Sequence, residues 1–143
     1  MTFTTLPSPP TDAAPARTAL LELHRHLLQA QRIQAERYGG RMSASELLQA
    51  ATEDLRFSWL TQLSELIAEL DQARTDDDAD SVQAALDQAR ALLAPPDPDT
   101  AFGTRYLQVL QERPEVVFAH RDVSAALTAI AANKTMNGSS GAR

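Results

Sequence analysis

The chain has 143 residues, 43% of them hydrophobic and 22% charged, which gives enough apolar side chain for one core and too little length for a second domain. A net charge of −6 opposes general nucleic-acid binding, which draws on Lys and Arg gathered on one face, and the absence of Cys removes disulfides, thiolate nucleophiles and Cys-ligated metal centres. Few aromatics and only five Gly, set against abundant Leu and Ala, favour packed helices and hence an all-α class.

Residues 1–14, with Pro7, Pro9 and Pro10, are expected to form a disordered leader, residues 15–132 a single helical bundle domain, and residues 133–143 a disordered tail. No basic stretch leads into an apolar one at the N-terminus, and no apolar run approaches ~20 residues, so neither export nor membrane insertion is expected and the compartment expected is the cytoplasm. Lys134 is the single Lys beside many Arg, a codon bias that points to a GC-rich bacterial genome.

A first helix is predicted from about Ala16 to Tyr38, ended by Gly39 and Gly40. Ser43 and Glu46 have capping-box spacing and open a second, to about Glu53. A third, from about Arg56 to Arg74, carries Trp59, Leu60, Leu63, Leu66, Ile67 and Leu70 within an arc of about 120°, which assigns Trp59 to the core. A fourth runs from about Asp80 to Leu93 and is ended by Pro95, Pro96 and Pro98. A fifth, from about Thr100 to Glu112, shows Phe102, Tyr106, Val109 and Leu110. The last starts at Pro114 and runs to about Ala132, with Val116, Val123, Leu127 and Ile130 on one face. Short connections between such helices predict a compact bundle of five to six mostly antiparallel helices.

The pair His24 and His26 invites a metal reading, but residues two apart do not share a helix face. On a wheel with Leu20 at zero and about 100° per residue, His24 lies at about 40°, inside the apolar arc of Leu23, Leu27, Leu28, Ala35 and Tyr38, while His26 lies at about 240° and faces solvent. Gln31 shares the arc with His24. Two polar side chains on a core-facing stripe need partners, either as a hydrogen-bonded inter-helix pair or as a small polar pocket. His120 falls between Val116 and Leu127 on the apolar side of the last helix, which makes His24, Gln31 and His120 the candidate cofactor-binding residues, for a metal, a haem or a small ligand. The Glu-x-x-His pairs of di-iron bundles are absent, and neither a metal site nor a resident cofactor is assigned.

Other patterns yield to simpler readings. The triplet His120, Arg121, Asp122 resembles a kinase catalytic loop without its companions, and Asp122 is read instead as the cap of a helix starting at Val123. Asp76, Asp78, Asp80 and Asp87 have calcium-loop spacing, but Ser81 stands where a glycine is needed, and acidic residues before a helix suit its dipole. No nucleophile motif or phosphate-binding glycine loop is present, and no catalytic residue is assigned.

The run RYGGRMSASELLQAATEDLRFSWLTQLSELIAELDQA, with RYLQVLQERPEVVFAH downstream, resembles an uncharacterised family of small all-helical bacterial proteins over about residues 18–127. The shared positions are core and capping residues, so the resemblance implies the fold and no site. The function expected is that of a small helical interaction protein without catalytic activity, binding a protein partner or its own copy. The alternative is a ligand-binding bundle or an enzyme built on His24, Gln31 and His120.

Overall fold

The computed structural model describes residues 13–93 and 96–141, with side chains described up to Ile130. Among the described residues the chain forms α1 (Ala14–Gly39), α2 (Ala44–Glu53), a 3₁₀ helix (Leu55–Leu60), α3 (Thr61–Thr75), α4 (Ala79–Leu93), α5 (Ala101–Glu112) and α6 (Pro114–Gly141), with no strand. This is the all-α fold expected. None of these helices is long and apolar enough to cross a membrane. Of the expected leader only Ala13 and Ala14 are described: Ala13 is buried and Ala14 opens α1.

Local chemistry sets the helix ends. Gly40 takes φ 83°, which L side chains rarely adopt, and its N–H reaches Glu36 O at 3.0 Å. Glu36 then accepts from Met42 N at 2.7 Å while Arg32 donates to Met42 O at 2.6 Å, which fastens the turn back onto α1. The capping box forms as its spacing required: Glu46 N donates to Ser43 Oγ at 3.1 Å and Ser43 N to Glu46 Oε1 at 2.9 Å. After α3, Asp77 N reaches Arg74 O and Asp78 N reaches Ala73 O, with Asp77 at φ 54°; this is a Schellman turn. Asp78 accepts from both Ser81 N and Ser81 Oγ at the start of α4, so the acidic run serves as helix stop and start.

Two departures from the wheel have physical causes. The third predicted helix is divided, and its first part is 3₁₀, where side chains repeat every third residue. Phe57 and Leu60 therefore lie above one another, continue onto Leu63 and are buried, whereas Trp59 turns to the side and is only half-buried. The last helix is unbroken, so Asp122 lies within it and caps nothing, and Phe118, opposite the apolar stripe, is 60% exposed. The helical backbone of α6 also continues past Ala132 to Gly141; no proline or glycine interrupts the chain before Gly138, so nothing in the backbone chemistry stops it earlier.

α1 packs along α6 and α3 along α4, around a core that includes Leu20, Leu23, Leu27, Leu63, Leu86 and Tyr106. Arg17 pairs with Asp71 to tie α1 to α3, and Arg90 donates to Leu127 O at 2.9 Å to tie α4 to α6.

α5 is seated by its own approach. Thr100 Oγ1 accepts from Gly103 N at 2.9 Å and donates to Asp97 O at 2.8 Å, folding the preceding loop onto the first turn. A Cβ on Gly103 would stand 1.8 Å from Asp97 O, so only glycine fits. Gly103→Ala is expected to destabilise the protein by about 1–3 kcal/mol through overpacking; a denaturant melt with an unchanged midpoint would contradict the close approach.

Candidate functional site

His24 projects from α1 toward α3, where its Nε2 lies 2.8 Å from Ser64 Oγ. Ser64 Oγ also stands 3.2 Å from Leu60 O. The hydroxyl has one proton, so both contacts are satisfied when it goes to the carbonyl and the imidazole donates from Nε2. Burial lowers the His24 pKa. The pair resembles a nucleophile and its base, yet no carboxylate holds Nδ1 among the described residues, and Ser64 sits inside a helix whose backbone N–H groups are already bonded. It acts as an inter-helix brace.

His120, on α6, faces α5 instead. Its Nδ1 lies 2.6 Å from the hydroxyl of Tyr106, which is fully buried and whose pKa burial pushes up. Burial lowers the His120 pKa as well. A neutral imidazole whose Nδ1 accepts a hydrogen bond from the protonated phenol matches both directions. The two histidines therefore have separate partners on separate helices. His26 is half-buried, with Nε2 4.0 Å from Glu22 Oε1 one turn earlier, rather than turned fully to solvent. No group of three or more metal-ligating side chains comes together among the described residues.

Gln31 is the residue around which a site is built. It is 4% exposed, the one buried polar side chain among the described residues. Its Oε1 accepts from Trp59 Nε1 at 2.9 Å and from Arg105 Nε at 3.4 Å. Arg105 also donates to Gln34 Oε1 and, at 3.1 Å, to Gln108 Oε1, and its guanidinium carbon lies 5.8 Å from the centre of the Trp59 ring. Gln31, Gln34, Ala35, Tyr38, Arg56, Trp59 and Arg105 line an open cleft of about 290 Å³. Behind Trp59 a row of rings continues inward: Phe102 at 5.8 Å, Tyr106 a further 5.1 Å on, and His120 5.6 Å beyond that.

Of the three candidates, then, only Gln31 lines this cleft; His24 and His120 do not. Sequence reasoning assigned Trp59 to the core and placed Tyr38 in the apolar arc, whereas Trp59 walls the cleft and Tyr38, in the last turn of α1, is 84% exposed at its rim. Arg105 was missed. Its signal was its place at the border of the stripe formed by Phe102, Tyr106 and Val109, where a guanidinium can lie along apolar surface. Comparison with family models, with curated proteins and with solved structures finds no match.

His24 and His120, both half-buried, have pKa values lowered by desolvation, so below the ordinary value of 6.5 the unfolded chain takes up protons that the folded one refuses. The stability these two groups contribute is therefore fully present above about pH 7 and is lost as pH falls through the window that opens at about 6.5 and ends at the lowered values. Melting temperatures measured from about pH 7 to about pH 5 are expected to fall, and the slope is expected to flatten in a His24→Gln/His120→Gln variant. A slope that is the same in the variant would show that other groups carry it.

Proposed function

We propose that the chain is a non-catalytic interaction protein that pairs with a second copy of itself through the outward face of α2. The observation that carries this reading is that the apolar arc of α2 is wider than the face the bundle covers. At about 100° per residue, Ala50, Leu47, Ala51, Ala44 and Leu48 span about 160°, yet Ala50 alone of these is buried and Leu48 is 70% exposed. Leu55, just past the helix, is 86% exposed. α2 packs mainly against the 3₁₀ helix that follows it, so its outer side has no cover among the described residues.

Ala44, Leu48 and Ala51 follow the four-then-three spacing that lets one helix pair with another. Two copies of α2 laid antiparallel about an axis between Leu48 and Ala51 set each leucine against the partner's alanine, large against small. Ser45 and Thr52 flank that seam and bring no like charges together. Fully removing a leucine side chain from water contributes roughly 2 kcal/mol, so a ten-residue helix supports a weak dimer that depends on concentration. The same reading keeps the chain in a bacterial cytoplasm, among the small helical proteins its central run resembles.

Sedimentation velocity over a concentration series tests it. The wild-type chain is expected to move reversibly from monomer toward dimer. Leu48→Glu, which places a carboxylate in the seam but changes an exposed position, is expected to remain monomeric with its helical circular dichroism unchanged. A wild-type chain that stays monomeric at every concentration would sink the proposal.

A further inference from the structure

We infer that the cleft at Trp59 and Arg105 is a binding site for a small aryl carboxylate, a single aromatic ring bearing one carboxylate. Two arginines line the cleft and no acidic residue does. Arg56 is already neutralised, its guanidinium held to both oxygens of Asp54 at 2.6 to 3.2 Å. Arg105 is different: among the described residues it takes part in no ion pair, and its three hydrogen bonds all go to neutral amide oxygens, those of Gln31, Gln34 and Gln108. It is a half-buried cation whose acidic neighbour Glu112, on the same helix, acts on it through space without forming an ion pair, in a chain whose net charge is −6. Leaving a charge in that condition is costly, and an anion brought by a ligand would meet it at close range.

The geometry narrows the anion. A guanidinium has five N–H groups in a planar fork. One on Nε and one on each terminal nitrogen are spent on the three glutamines, which leaves one N–H on each terminal nitrogen. Two donors on a planar group suit the two oxygens of a carboxylate. The three amides fix the orientation of the fork before any ligand arrives, so little entropy is lost in presenting it.

The walls narrow the rest of the ligand. The Trp59 ring is held in place at its Nε1 by Gln31 and supported from behind by Phe102, so its orientation is set. Tyr38 offers a second ring at the rim. A cavity of about 290 Å³ sits at the small end of ligand pockets, room for one ring and its charged group rather than for a nucleotide. The exposed Leu48 and Leu55 are not part of this lining, so the site does not rest on the α2 pairing.

Benzoate is the probe, and Trp59 is its reporter, as the single Trp of the chain. Titration of the full chain with benzoate is expected to give a saturable change in tryptophan fluorescence and a matching shift of the one indole N–H resonance. Benzamide, which keeps the ring and lacks the charge, and cyclohexanecarboxylate, which keeps the charge and lacks the ring, are each expected to bind about tenfold more weakly. Arg105→Met is expected to abolish the response, and Arg105→Lys, which retains charge without the fork, to weaken it about tenfold. No saturable response to benzoate, or an equal response to benzamide, would overturn the proposal. So would an unchanged response in Arg105→Met with native circular dichroism; if that variant does not fold, Arg105→Lys and the two benzoate analogues on the wild-type chain decide.

Discussion

One carbonyl oxygen, Gln31 Oε1, joins three elements that are far apart in the chain. It belongs to α1, it accepts from the indole of Trp59 in the 3₁₀ helix, and it accepts from Arg105 on α5. A buried amide oxygen with two donors is fully satisfied, whereas either donor left without it would lose a bond in a place that water reaches poorly. The placement of this residue therefore decides much else. With Gln31 fixed on the inward stripe of α1, the indole must present its edge to it and its face to Arg105. That sets which side of the 3₁₀ helix looks outward.

The 3₁₀ helix makes this possible. An α-helix through the same residues would direct Trp59 into the stripe with Leu63 and Leu66 and leave Phe57 outside it. Three residues per turn instead stack Phe57 on Leu60 as a core pair and free Trp59 to wall a cleft. Asp54 starts this tighter turn by accepting from Arg56 N at 2.8 Å, and the same carboxylate holds the Arg56 side chain at the cleft's edge. On the other side, Gly103 lets the loop around Asp97 lie against α5, which places Phe102, Arg105 and Tyr106 at successive positions beside α1 and α6. The stack of rings from Trp59 to His120 is the result, with a polar outer end and a buried inner hydroxyl.

The sequence made legible whatever is governed by neighbours along the chain. Gly40, the Ser43 and Glu46 capping box and Pro114 mark helix limits because their effect is confined to one turn. Gln31 was recognisable as a polar residue on an apolar arc, and so in need of a partner. Which partner it finds was not recognisable, since Trp59 and Arg105 lie in other elements and their approach depends on the whole packing. The wheel also assumed one helical period throughout, so where the period changes it put Trp59, which is only half-buried against the core, into the stripe and did not single out Phe57, which is fully buried. His24 and His120 shared the signal of Gln31 but not its surroundings: each meets a hydroxyl on a neighbouring helix, Ser64 for one and Tyr106 for the other.

Gln31 organises the junction of α1, the 3₁₀ helix and α5. Hydrogen exchange at the single indole N–H in a Gln31→Leu variant tests it most directly, because leucine keeps the bulk and removes the acceptor. The Trp59 indole proton, expected to be slow to exchange in the wild-type chain, is expected to become fast in the variant, and stability to fall by about 1–3 kcal/mol as Trp59 and Arg105 lose their shared acceptor. An indole proton equally protected in the variant, with stability unchanged, would contradict it.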